Sequence, residues 1–287
     1  MEIKNRVGLS RSYLHAMNRG ARKVSIFADE ADRKIFRSLL GRFATNYSVS
    51  VLAWCLMPNH YHLETDSEGT PLSQMMHDLD GTYARAFNRR HATTGCLFQG
   101  PFKTMLIRDL EGLAYVNRYI HLNPVDLGRV PATYGWSSCA SYLGLAPVPA
   151  WLNVEPVMSW LRRPDRSDRA AYAEYLEQGL LKPRKAKNHF DPVEEFQVDW
   201  IRHLEERLVE AMIGRERILG ETAPSTIVAW MARKDYRIPA RVVADFYGYT
   251  SAASVRTVSN RIEQRVREEP YFRTAIETVI EIATRKR

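Results

Sequence analysis

The stretch Val49-Ser50-Val51-Leu52-Ala53-Trp54-Cys55-Leu56-Met57-Pro58-Asn59-His60-Tyr61-His62-Leu63-Glu64-Thr65 decides the fold. Val49 to Met57 is an apolar run of strand-forming residues. Pro58-Asn59 interrupts it as a turn signal, and Tyr61 to Thr65 resumes the strand pattern, which predicts a β-hairpin. Residues two apart in a strand point to one face. His60 and His62 therefore project together, while Tyr61 points the other way, into the core.

Working outward, Tyr13 to Asn18 reads as a strand. Asp29 to Tyr47 carries Phe36, Leu39, Leu40 and Phe43 at helical spacing. Leu72 to Asn88 is a second helix ending in a basic turn, and Phe102 to Ile107 a further strand. Leu110 to Leu122 is a third helix, stopped by Asn123-Pro124. The order strand, helix, strand, strand, helix, strand, helix predicts an α+β fold: a ferredoxin-like antiparallel sheet with packed helices. This domain is expected over residues 1–144. Residues 145–195 carry prolines, charges and one short helical stretch around Ala170 to Gln178, and read as a connector. Residues 196–287 read as an all-helical domain. In it Gly248-Tyr249-Thr250 separates two helical patterns, Ala240 to Tyr247 and Ala252 to Glu268, in the manner of a helix-turn-helix.

The 287 residues are 45% hydrophobic and carry a net charge of +8. That content supports an ordinary core, and the charge favours polyanionic partners. Basic pairs and runs stand at Arg89-Arg90, Arg162-Arg163, Arg184-Lys185 and Arg285-Lys286-Arg287. Cys55, Cys96 and Cys139 are odd in number and widely spaced, so neither a disulfide framework nor a zinc motif is expected. No apolar stretch approaches the roughly 18 residues of a membrane span. The polar start, Met1 to Arg11, lacks the apolar core of a secretory signal. A cytoplasmic, nucleoid-associated protein is the expectation, with monomer and homodimer both open.

Two imidazoles on one strand face can hold a divalent metal, although a pair of ligand-free strand histidines has the same pattern. Tyr119 and Asn123 lie four apart and share a helical face. The tyrosine can present its hydroxyl to a metal site and Asn123 its carbonyl oxygen; equally, Tyr119 can be core and Asn123 a helix cap.

Several short segments in fixed order carry a resemblance. They are Met57 through Leu63, then Tyr83-Ala84-Arg85 with Phe87-Asn88-Arg89-Arg90-His91. Leu97-Phe98-Gln99-Gly100, Phe102-Lys103, Tyr119 through Pro124 and Trp136-Ser137-Ser138 follow. Together, from Tyr13 to Gly144, the chain resembles the REP-associated tyrosine transposases of the single-tyrosine HUH superfamily. The resemblance implies that His60 and His62 are metal ligands, that Tyr119 is the nucleophile, and that Asn123 is a further polar ligand. It implies Mg2+ or Mn2+ as cofactor, where imidazoles alone would also suit zinc, copper or iron. The implied reaction is nicking and rejoining of single-stranded or hairpin DNA through a 5′-phosphotyrosine. A domesticated regulator that binds DNA hairpins without cutting is the alternative.

Arg85, Arg89 and Arg90 on the second helix, Lys103 and Arg108 on the following strand, and Arg256 in the helical tail are candidates for DNA phosphates. A solvated surface is the plain reading of each. Two positions depart from the family pattern. Pro101 replaces the usual arginine between Gly100 and Phe102, removing one phosphate contact. Glu64 replaces an apolar residue; it shares the face of His60 and His62, and reads as a further ligand or, in preference, as a solvated strand end.

Overall fold

The structure is a computed structural model that describes residues 13–67, 72–107, 109–180, 192–213, 219, 222–234 and 238–284. Within the first unit, β1 (Tyr13–Arg19), α1 (Glu30–Asn46), β2 (Ser50–Met57), β3 (His60–Asp66), α2 (Leu72–Arg90) and β4 (Lys103–Ile107) follow in sequence. The sheet order is β2-β3-β1-β4, and every neighbouring pair is antiparallel. This is the ferredoxin-like topology expected from the element order. The hairpin β2–β3 closes at Pro58-Asn59 with Met57 opposite His60. The α1 connection sets β2 one strand away from β1, leaving the gap that β3 fills, and the α2 connection carries the chain to the other side of β1, where β4 pairs.

Strand alternation divides the sheet into two chemically different faces. One face packs on α1 and α2. There Phe36 meets Tyr61 at 4.8 Å between ring centroids and Tyr83 at 5.0 Å, and Leu40, Leu63 and Leu79 are fully buried beside them. Truncating such an aromatic to alanine typically costs about 3–5 kcal/mol, so this face anchors the unit. α1 starts at Asp29, whose side chain accepts from the Asp32 amide in a reciprocal capping box. The other face carries His60, His62 and Glu64, and is covered by α3 (Leu110–Leu122).

Trp136-Ser137-Ser138 runs along the edge of β2. The Leu56 amide donates to the Trp136 carbonyl at 2.8 Å and the Ser138 amide to the Trp54 carbonyl at 3.0 Å. The segment thereby covers backbone groups that an edge strand would leave open. After α4 (Cys139–Tyr142), the stretch expected as a connector contains two helices, α5 (Glu155–Leu161) and α6 (Asp168–Leu180). Both pack on α3 and on each other. Val157, Met158, Leu161, Ala171, Tyr172 and Leu176 are their buried residues. These apolar residues are short stripes among prolines and charges, which is why composition alone reads as a linker.

Contacts divide the chain into two compact units, Met1–Arg184 and Lys185–Arg287. The second unit is helical throughout its described residues: Pro192–Met212, Pro224–Lys234, Ala240–Tyr247, Ala252–Glu268 and Pro270–Thr284. Gly248 ends the third of these with φ of 69°, the left-handed C-cap that glycine favours, and the Ser251 side chain caps the fourth. Among the described residues, no helix is long and apolar enough to cross a membrane.

Candidate functional site

The middle residue of His60-Tyr61-His62 sets the orientation of its neighbours. The Tyr61 hydroxyl donates to Asp80 Oδ1 of α2 at 2.6 Å, and Asn18 Nδ2 donates to Asp80 Oδ2 at 2.7 Å. Burial raises the Asp80 carboxyl to about 6, against these two hydrogen bonds. With Tyr61 held on the α1–α2 side, both histidines must face α3. Their rings lie 4.9 Å apart and perpendicular, and both residues are buried.

The structure brings Tyr119 to the same place. α3 begins at Asp109, whose carboxylate caps the Gly112 amide, and its buried face runs through Val116, Tyr119 and Ile120. The Tyr119 ring meets His62 edge-on at 5.7 Å and His15 of β1 at 6.4 Å. Asn123 is fully buried one turn later. Its Nδ2 donates to the Tyr119 carbonyl at 2.9 Å, so the capping reading holds for one end of the amide. The other end, Oδ1, is buried and makes no hydrogen bond. An acceptor left in that state costs about 1–3 kcal/mol, which marks it as a ligand-ready oxygen.

Two residues of the site are absent from the sequence reading. His15 is buried on β1, and its Nε2 lies 2.9 Å from His62 Nδ1. Burial lowers its pKa to about 3, so the ring is neutral at physiological pH. Asn117, two residues before Tyr119, donates from Nδ2 to Glu64 Oε2 at 2.9 Å and to the Tyr142 hydroxyl at 3.0 Å. Both could have been sought as polar residues within otherwise apolar elements.

Glu64 corrects the expectation of a solvated strand end: it is fully buried. Burial pushes its carboxyl well above the ordinary range, opposed by the Asn117 hydrogen bond. Its surroundings continue as a directional chain. The Tyr172 hydroxyl donates to Asn117 Oδ1 at 2.7 Å, His121 Nδ1 bonds the Tyr172 oxygen, and His121 Nε2 lies 2.6 Å from Ser138 Oγ. The chain ties β3, α3, α6 and the Trp136–Ser138 segment into one buried polar layer beside Tyr119.

The candidate phosphate contacts are spread over several settings. Arg85 and Arg89 are exposed on α2, Lys103 is exposed at the start of β4, and Arg256 is exposed on Ala252–Glu268 of the second unit. Arg108 lies outside the described residues, as do the pairs and runs at 184–185 and 285–287. The Arg90 guanidinium is paired with Asp29 at 3.0 Å and with the fully buried Asp32, which His91 also meets at 2.9 Å. Arg90 is thus the pin joining the C-terminus of α2 to the N-terminus of α1. Arg162 and Arg163 pair with Glu155, Asp168 and Glu174.

Asp29, Asp32 and His91 also form the group of acidic and histidine side chains that could hold a metal among the described residues. Arg90 already supplies the positive charge between the two carboxylates, so the cluster reads as an ion-pair network. The site at His60, His62 and Asn123 has a different donor set: two imidazoles and one amide oxygen.

Residues 9–123 match the family model described as transposase, IS200-like. The match spans the segments that carry the resemblance from Met57 to Asn123 but not Trp136-Ser137-Ser138, and this part of the first unit is similar to that family. No curated protein matches the chain. A solved structure described as "Structure of the REP associates tyrosine transposase bound to a REP hairpin" aligns with 54% of this chain and 93% of that chain. Its identity is 19% and its TM-score 0.40.

Proposed function

We propose that the first unit is a metal-dependent nuclease and strand transferase for single-stranded or hairpin DNA, with Tyr119 as nucleophile. The observation that carries this reading is the meeting of Tyr119 and His62 across the α3–sheet interface, with His60 beside them. A second support is the buried Asn123 Oδ1, one helical turn past Tyr119. His60 and His62 would hold a divalent ion, with Asn123 as a third ligand; the imidazoles alone suit zinc, copper or iron, and the amide oxygen with water suits Mg2+ or Mn2+. When bound, such an ion neutralises a nonbridging phosphate oxygen and favours the ionised phenol.

The remaining steps belong to the chain. Tyr119 Oη forms a bond to phosphorus while the bond to the 3′-oxygen breaks; the proton lost by the phenol balances the one gained by that oxygen, which leaves as a hydroxyl. The product is a 5′-phosphotyrosine, which conserves the phosphodiester energy. Attack by another 3′-hydroxyl reverses the step and joins the strands without ATP. Exposed Arg85, Arg89, Lys103 and, on the second unit, Arg256 would contact phosphates.

The test is Tyr119→Phe beside the wild type, with labelled single-stranded hairpin DNA carrying single-stranded flanks and Mn2+. The wild type should give cleaved strand and a covalent protein–DNA adduct on a denaturing gel. The Phe variant should bind DNA and form neither. Cleavage by the Phe variant would refute Tyr119 as nucleophile. Wild-type binding without any adduct or cleavage would point to the non-cutting regulator instead.

A further inference from the structure

We propose that His15 is a positioning residue: its Nε2 accepts the Nδ1–H of His62 and so holds His62 as the tautomer with its lone pair on Nε2. The inference deepens the metal reading of Tyr119's site and rests on it for its functional meaning. Its structural basis is independent. In the antiparallel register of β1 and β3, His15 stands opposite Glu64, and Met17 stands opposite His62. His15 and His62 are therefore diagonal neighbours on one face, a spacing that long or aromatic side chains bridge. The rings lie 5.1 Å apart, 15° from parallel, with Nε2 and Nδ1 2.9 Å apart. Both residues are buried, so water does not compete for the bond.

The direction of the proton follows from the chemistry of a ligand. A divalent ion takes only an unprotonated ring nitrogen. Nδ1 of His62 is already committed to His15, so Nε2 is the nitrogen left to coordinate, and the proton must reside on Nδ1. His15 is then the acceptor and carries its own proton on Nδ1. A ligand histidine usually gives its second N–H to a carboxylate, a carbonyl or water; here a neutral imidazole fills that place. A carboxylate would add negative charge to the site, whereas His15 orients the ring without charge. Tyr119 abuts both rings, so the hydrogen bond from His62 to His15 also fixes which edge of His62 meets the tyrosine.

The experiment uses the full chain with 15N-labelled histidine, and two variants. His15→Phe keeps an aromatic ring of similar size but has no acceptor; His15→Gln keeps an acceptor. Circular dichroism establishes that each is folded. Long-range 15N–1H correlation spectra, with His62 assigned by its loss in His62→Gln, report the tautomer. Mn2+ binding is titrated by electron paramagnetic resonance. Wild type should show His62 protonated on Nδ1. His15→Phe should lose that preference and bind Mn2+ about 10–100-fold more weakly, as removal of a supporting partner does. His15→Gln should retain both.

A wild-type His62 protonated on Nε2 overturns the proposal. So does a folded His15→Phe with unchanged tautomer and Mn2+ affinity, or an equal loss in the Phe and Gln variants, which would mean packing alone. If His15→Phe does not fold, the wild-type tautomer and the Gln variant decide. A wild type that shows Nδ1–H but binds no Mn2+ overturns the metal reading and supports the His15–His62 bond.

Discussion

Acid should unfold the first unit partly through His121. This ring is fully buried, bonded to Tyr172 on one nitrogen and to Ser138 on the other. Burial lowers its pKa from 6.5 to about 3. The folded pKa lies below the unfolded one, so the unfolded chain takes up the proton first. The contribution to stability is complete above the unfolded pKa and is lost as pH falls from 6.5 toward 3. At pH 5, about 1.5 units below the unfolded pKa, the loss is roughly 2 kcal/mol, or about thirtyfold in the folding equilibrium. His121→Gln keeps polar atoms in the layer but does not titrate. Urea unfolding of both proteins at pH 7 and pH 5 gives the comparison, in which His15 and the carboxylates are common to both and cancel. Wild type should lose about 2 kcal/mol more than the variant on this shift. Equal losses would mean that His121 is protonated without strain in the folded unit, and that the polar layer is open to water.

Glu64→Gln should be at least as stable as wild type at pH 8. Burial raises the Glu64 carboxyl, so the stability it gives is present at low pH and is lost as pH rises through the folded pKa, a loss Gln avoids. Glu64→Ala, which leaves the Asn117 amide without that acceptor, should cost about 1–3 kcal/mol; a Gln variant less stable than wild type in urea unfolding at pH 8 would refute the neutral-acid reading. Arg90→Ala should lower stability by about 3 kcal/mol, because it removes the guanidinium that neutralises the buried Asp32 carboxylate. Arg85→Ala and Arg89→Ala should leave the melting temperature nearly unchanged and weaken DNA binding, with a shallower salt dependence in fluorescence anisotropy. Equal melting temperatures for all three variants would remove Arg90 from its structural role.

What the sequence makes legible here is what local geometry encodes. The strand period places His60 and His62 on one face and Tyr61 on the other, and the helical period puts Tyr119 and Asn123 on one side of α3. Neither inference needs to know which strands are neighbours. His15 does need it. Its partner is 47 residues away, and their contact exists only in the observed β1–β3 register; a slip of one residue would turn His15 to the opposite face. Glu64 misleads for a related reason. A charged residue near a strand end is ordinarily solvated, but α3 and α6 close over this end with Asn117 and Tyr172 as matching polar groups. α6 lies in a stretch whose prolines and charges hide its few apolar anchors. Arg90 repeats the lesson on the surface: in sequence it is one of a basic cluster aimed at phosphate, yet Asp29 and Asp32, about sixty residues earlier, claim its guanidinium. A charge is available to a ligand only after the fold has matched it against its own counter-charges, and that matching is a property of tertiary contacts. The local periodicities therefore bring out His60, His62 and Tyr119 as candidates, while the contacts that His15, Glu64 and Asn117 make exist only once the strands and helices are paired.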